Sequence, residues 1–348
     1  MHRIKPFSTA NPAQIQGVLH KQRAQRLIPG KWRMIGLLSL AELLAMVVWF
    51  SATSVAGDLA LVMNLDNGGA AWLTMTVQIG FVIGAFISAV FMLADRMSPR
   101  RLVVMSIFAA ALATALIPVA SDIPALVMIL RLLTGAFLAG VYPVSMKIMA
   151  TWTDHDRGLG IGLLVGALTL GSASPHLLNG VGLIGDWRTV IWGSALLAFI
   201  GGVVAWCFVQ EGPYHSPYRK FSIGDIRHVL GNRGVILANL GYLGHMWEIY
   251  AMWAWLSLFL SSSFAQVGIA AHWASIVTFA AIGIGSIGSV LAGTLADRVG
   301  RTTVTTGAML LSGMCALFIG QLWGGNVWLI SAASLFWGFF VVADSAQF

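Results

Sequence analysis

Charge is what this sequence has least of. Only 9% of its 348 residues are charged while 58% are hydrophobic, against roughly a quarter charged in an ordinary soluble domain. A water-soluble globular chain is thereby excluded. Cysteine is nearly absent too: Cys207 and Cys315 stand alone in apolar segments, with no CxxC spacing and no neighbouring histidine. Neither a disulfide nor a metal site is expected, and both read as small packing residues. No glycine-rich loop followed by Lys-Ser/Thr occurs, so ATP-driven work by this chain alone has no support. No nucleophile with a base and no His/Asp/Glu cluster facing one aqueous side is visible, so neither an enzyme nor a bound cofactor is expected.

Continuous apolar sequence is what the chain has most of. Segments able to span a ~30 Å hydrocarbon core at ~1.5 Å per residue lie near 34–59, 71–93, 102–120, 124–147, 159–181, 189–209, 234–260, 272–295, 303–322 and 326–348. They are numbered here as spans 1 to 10. Because they do not alternate in polarity, and because a helix satisfies its own backbone in lipid, the expected fold is an all-α polytopic membrane protein rather than a barrel. Residues 1–31 read as a basic cytoplasmic tail with no apolar core for a cleavable signal peptide. A disordered tail is expected there, with a short surface helix over Ala13 to Leu27 as the alternative. The predicted division is a six-helix half over 32–210, a Pro- and Gly-containing cytoplasmic loop over 211–233, and a four-span half over 234–348.

Two patterns recur about two hundred residues apart. Leu93-Ala94-Asp95-Arg96 returns as Leu295-Ala296-Asp297-Arg298, and Glu42-x-x-Ala45-Met46-x-x-Trp49 returns as Glu248-x-x-Ala251-Met252-x-x-Trp255, at offsets of 202 and 206. The chain holds only three glutamates, and two of them align under this shift inside apolar segments. Two homologous membrane halves are the architecture of a secondary transporter.

Few residues inside the spans can carry chemistry. A carboxylate in a low-dielectric site is costly to ionise unless paired, so Glu42 and Glu248 are candidate proton carriers or substrate contacts, the alternative being structural carboxylates that fix helix packing. His245 precedes Glu248 by three residues on the same helix face and is a candidate relay or an interhelical contact. His176 and His272 read as interfacial residues near the outer ends of their spans. Arg131 is the one cation within a span, and a guanidinium that cannot shed its charge needs a carboxylate, carbonyls or an anionic substrate. Tyr142-Pro143 and Ser174-Pro175 can kink spans 4 and 5 toward a cavity. Gly158, Gly160, Gly162 and Gly166, then Gly283, Gly285 and Gly288, offer small faces for close helix approach. Trp255, with Trp247, Trp253 and Tyr250, either lines a cavity or belongs to an interfacial belt. Asp344 lies in the inner half of span 10 with no partner evident.

Gly293-Thr-Leu-Ala-Asp297-Arg298-Val-Gly300-Arg301 resembles the loop signature of the major facilitator superfamily after span 8. Phe91-Met-Leu-Ala-Asp95-Arg96-Met-Ser98-Pro99-Arg100-Arg101 resembles it after span 2, departing at Phe91 and at Ser98-Pro99. Arg131-Leu-Leu-Thr-Gly135 is similar to a second, looser motif of that family. The resemblance implies a two-half bundle with ten of twelve expected spans present, as expected of a fragment, and a cavity formed by spans 1, 4, 7 and 10. It implies alternating access for a small solute, with a proton-coupled symporter of an organic or anionic metabolite ahead of a drug or metabolite exporter and of a non-transporting sensor. Span 5 lacks the Gly-Pro pair of many drug antiporters of the family and the dense glycine run of its nitrate/nitrite branch. The motif places Arg131 against span 1, where Glu42 is the available acid. Asp95, Arg96, Asp297, Arg298 and Arg301 are expected to gate the cytoplasmic side through ion pairs between the halves. Expected partners are the solute, protons and membrane lipids for a monomer in the bacterial inner (plasma) membrane.

Eighteen of the 20 cationic residues fall in the tail and in the loops that lie on its side of the membrane, leaving Arg188 outside and Arg131 within a span. The net charge of +7 therefore reports a cytoplasmic N-terminus and attraction to anionic lipid rather than nucleic-acid binding. Single cysteines at 96, 219 and 298 should be inaccessible to an impermeant label added outside sealed cells, and one at 186 accessible. Labelling at 219 under those conditions would overturn the topology.

Overall fold

The computed structural model describes residues 30–154, 156–181, 186–214 and 231–345, apart from the side chains of Asn67 and Asp297. The tail with its Ala13 to Leu27 segment, and the part of the central loop carrying Arg219, lie outside the described residues. All regular structure among the described residues is helical. Spans 2, 5, 6 and 7 are the single helices Asn67–Val90, Arg157–Gly180, Trp187–Phe208 and Arg233–Gln266. Spans 3 and 10 are Pro99–Ala115 and Val327–Ala343, of 17 residues each. Span 8 runs Ala271–Gly283 and, past Ile284, Gly285–Val299, and span 9 is Arg301–Phe318 with a 3-10 turn at Ile319–Leu322. Among the described residues six helical stretches, those of spans 2, 4, 5, 6, 8 and 9, are long and apolar enough to cross a membrane by length and composition.

The helix starts follow from local chemistry. Asp66, Asp186, Asn232 and Asn326 accept backbone N–H groups of the first turns of spans 2, 6, 7 and 10, satisfying donors that have no partner inside the helix. Proline opens spans 3 and 4, where its missing N–H costs nothing.

Spans 1 and 4 are broken rather than kinked. Span 1 is Lys31–Met46, a non-helical turn, Ser51–Ser54 and Ala56–Val62. Span 4 stops at Leu138 and restarts at Tyr142–Trp152, so the predicted Tyr142-Pro143 bend is an interruption just ahead of the proline, whose ring cannot accept a continued helix.

The repeat shows in the packing. A Cβ at Gly80, Gly84 or Gly135 would fall on the backbone carbonyls of Leu132, Ala136 and Val77, locking span 2 against span 4. Gly285, Gly288 and Gly338 do the same between spans 8 and 10, at separations of 203 to 205 residues from their counterparts. The predicted small face of Gly285 and Gly288 thus serves packing within a half. Gly162 and Gly166 instead meet Ser289, Val290 and Ser286, and the halves join along this contact of span 5 with span 8. Asn179 donates to the Ser54 carbonyl at 2.7 Å and to Ser275 Oγ at 3.2 Å at its outer end, and Ser289 Oγ donates to the Gly162 carbonyl at 3.3 Å further in.

Two expectations need correction. Cys207 is exposed on the outward face of span 6 and only Cys315 is partly packed. His176 is fully buried, with no hydrogen-bond partner for either ring nitrogen among the described residues, because span 5 packs centrally between span 1 and span 8.

Gly135→Ala should lower stability by ~1–3 kcal/mol through overpacking, whereas Gly307→Ala, which meets no atom within 4 Å, should stay within ~0.5 kcal/mol of the native protein. Thermal unfolding of both variants in detergent checks the contrast.

Candidate functional site

Arg131 is buried to 0% and its charge is met without a carboxylate. Nε donates to the Leu73 carbonyl of span 2 at 3.1 Å, and the two terminal nitrogens donate to Val48 and Trp49 of span 1 at 3.2 and 2.7 Å. The last two carbonyls lie in the turn where span 1 leaves the helix. A broken helix exposes carbonyls with no intrahelical donor at its negative end, and a planar fork of donors fits that need. The predicted contact with span 1 is present, but the ion pair with Glu42 is not.

Glu42 is 1% exposed, and neither carboxylate oxygen has a hydrogen-bond partner among the described residues. The Ser145 hydroxyl of span 4 is a buried polar neighbour just outside hydrogen-bonding geometry. Glu248, its repeat counterpart, is half-buried and accepts from Trp337 Nε1 at 3.0 Å and Ser312 Oγ at 3.2 Å. It faces spans 9 and 10, not the cavity. His245, predicted to share a face with Glu248, turns instead to span 10, with Nδ1 3.0 Å from Asp344 Oδ1 and Nε2 2.9 Å from Ser345 Oγ.

A cavity of about 650 Å³ opens between the halves. Spans 1, 4, 7 and 10 contribute Trp49, Tyr142, a stretch from Tyr242 to Trp255, and Val342 with Ser345. Span 2 adds Thr74, Gln78 and Phe81, and span 5 adds Val165, Leu168 and Thr169, so the predicted four-span lining is widened by two. Trp247 and Trp255 stand on its open side, 82% and 46% exposed. Trp49 stacks on Tyr250 across the halves, with ring centroids 5.7 Å apart at 22°, and Tyr250 meets Trp253 edge-on at 6.1 Å. Trp49 and Trp253 are each 2% exposed, and their indole N–H groups have no acceptor among the described residues. Two buried donors beside an aromatic cavity await an acceptor, since an unmade hydrogen bond there costs ~1–3 kcal/mol.

The gating loops behave differently from expectation at Asp95. Its carboxylate pairs at 2.5 Å with Lys147, a residue of span 4 in the same half, which also donates to the Ala94 carbonyl at 2.7 Å. The pair therefore holds the loop after span 2 to its own half. Arg96, Arg298 and Arg301 are exposed at the inner ends of their helices, and the side chain of Asp297 lies outside the described residues. Sequence reasoning also passed over Trp49 as a lining residue, although its repeat alignment with Trp255 signalled it, and over Ser345, which nothing in the sequence marks.

Broken spans 1 and 4, paired glycine contacts in two repeated halves and a cavity between them define a polytopic transport bundle. Residues 38–344 match the model of the Major Facilitator Superfamily, and the chain belongs to that family. It is a membrane transporter of a small solute and not an enzyme. A curated relative, the 3-(3-hydroxy-phenyl)propionate transporter of Escherichia coli (strain K12), is 26% identical over 292 residues, covering 81% of this chain and 68% of that protein. Among solved structures, the nucleoside transporter NupG aligns with a TM-score of 0.66 at 12% identity, over 90% of this chain and 81% of its own. The xylose transporter XylE from E. coli, in a partially occluded inward-open conformation, aligns at 0.65 and 15%, over 91% and 85%.

Arg131→Met removes three buried hydrogen bonds to backbone carbonyls, of which that of Val48 also accepts from Ser51 Oγ, and should destabilise the protein by roughly 3 kcal/mol. A double-mutant cycle with Glu42→Gln should show coupling under ~0.5 kcal/mol, as unfolding in detergent would reveal. Strong coupling would restore the ion pair.

Proposed function

We propose that the chain is a proton-coupled symporter of a small organic acid, aromatic in its apolar part. The observation that carries this reading is the cavity: its lining includes Trp49, Phe81, Tyr142, Tyr242, Tyr250 and Trp253, with unpartnered indole donors at Trp49 and Trp253. Flat rings offer a stacking surface for an arene, worth ~0.5–1.5 kcal/mol per pair beyond burial. The indole N–H groups offer donors to a carboxylate or phenolic oxygen. The relative's named solute, 3-(3-hydroxyphenyl)propionate, joins a ring to both kinds of oxygen and supports the same class here.

Charge supports the coupling. Among the described residues lining the cavity none is Asp, Glu, Lys, Arg or His, so an organic anion finds no counter-charge on these walls. Taking an isolated anion out of water is costly, and a proton travelling with it removes that cost. Arg131 does not serve as the counter-charge, because its donors are held by Leu73, Val48 and Trp49.

Proteoliposomes carrying the purified chain, given labelled 3-(3-hydroxyphenyl)propionate and an acid-outside gradient, should accumulate the acid, and a protonophore should abolish accumulation. Trp253→Phe keeps the ring but removes the donor, so apparent affinity should fall about tenfold, as for a hydrogen bond to a charged group worth ~1.5–3 kcal/mol. Accumulation indifferent to the gradient would sink the coupling, and expulsion of the acid against the gradient would make the chain an exporter.

A further inference from the structure

His245 and Asp344 are each 1% exposed. The imidazole reaches span 10 through both nitrogens at once: Nδ1 lies 3.0 Å from Asp344 Oδ1, and Nε2 lies 2.9 Å from Ser345 Oγ. The carboxylate contact is at ion-pair distance but outside hydrogen-bond alignment, so Asp344 has no hydrogen-bond donor among the described residues. A carboxylate buried there without a neighbouring positive charge is costly, so the cluster favours taking up a proton, and the imidazole is placed to hold it. Ser345 also lines the cavity, which gives the cluster an aqueous edge.

We propose that His245, Asp344 and the Ser345 hydroxyl form one proton-binding site between spans 7 and 10, and that this site carries the coupled proton. The inference rests on the symport reading above and names its proton carrier. In the unloaded form the carboxylate keeps the ring proton on Nδ1, and the lone pair of Nε2 accepts from the Ser345 hydroxyl. On loading, a proton arriving from the cavity bonds to Nε2. The serine hydroxyl rotates from donor to acceptor, and an imidazolium then faces the carboxylate. Release reverses each step, with no bond broken other than N–H. A hydroxyl exchanges these roles by turning its hydrogen alone, so the loaded and unloaded forms share the same heavy-atom positions. Neighbouring titratable groups are the Tyr242 hydroxyl one turn earlier on span 7, with ring centroids 6.2 Å apart, and Tyr142 of span 4 across the cavity. Glu248 is occupied by Trp337 and Ser312. From span 8, the titratable groups are His272 at its outer end and Asp297 with Arg298 at its inner end.

Two measurements on the full chain decide it. The first is nitrogen NMR of histidine-labelled protein in detergent, with the His245 resonance identified by its loss in His245→Gln. Acidifying the medium should convert that resonance from the neutral to the imidazolium form, and Asp344→Asn should alter that conversion. A resonance held in one form throughout overturns the proposal, and because no solute is present that outcome does not depend on the substrate class. The second is transport of labelled 3-(3-hydroxyphenyl)propionate in proteoliposomes. His245→Gln and Asp344→Asn should equilibrate the acid without accumulating it under a pH gradient, while exchange between loaded compartments continues and shows that both variants fold. His272→Gln, at the exposed outer end of span 8, should accumulate it as the native chain does. Retained accumulation in both His245→Gln and Asp344→Asn overturns the proposal; a native chain that ignores this solute counts against the substrate class, and the NMR result then stands as the test of the site.

Discussion

A helix cannot simply stop inside a membrane, because the carbonyls it frees have no water to turn to. Span 1 stops there nonetheless, and the guanidinium of Arg131 is what makes that possible. Its three donors reach Val48, Trp49 and Leu73, so spans 1, 2 and 4 are tied at one buried point. The direction of Trp49, and hence one wall of the cavity, depends on that knot. An arginine in lipid ordinarily suggests an anionic partner, yet a cluster of carbonyl dipoles at a helix end serves as well and keeps the acid Glu42 free of it.

The two halves repeat one another in backbone more faithfully than in chemistry. Gly80, Gly84 and Gly135 on one side and Gly285, Gly288 and Gly338 on the other perform the same close packing. The aligned glutamates diverge: Glu42 is buried without a hydrogen-bond partner among the described residues, whereas Glu248 is held by an indole and a hydroxyl. Under the offset of 203 that relates Gly135 to Gly338, Arg131 corresponds to Ser334 in span 10, which bonds to its own helix through the Ile330 carbonyl. Duplication supplied the scaffold, and each half has since placed its polar groups for a separate task.

That division also explains what was legible in the sequence. Apolar length and the recurrent loops were enough for the all-helical, two-half architecture, because both depend on local composition and spacing. Arg131 was recognisable as needing a partner, since its charge is permanent, but its partners are backbone atoms, which no residue letter encodes. The His245 with Asp344 contact joins residues 99 positions apart, and the Asp95 with Lys147 contact joins residues 52 apart; neither separation follows from periodicity along one helix. Trp49 and Trp253 as orphan donors were invisible for the opposite reason, because an absent bond leaves no trace in sequence.

The stack of Trp49 on Tyr250 has a mechanical consequence. These rings belong to different halves and touch within the cavity itself, so any relative movement of the halves there must either part the stack or carry both rings together. The width of the cavity at this point is thereby set by how the two halves meet and not by either half alone.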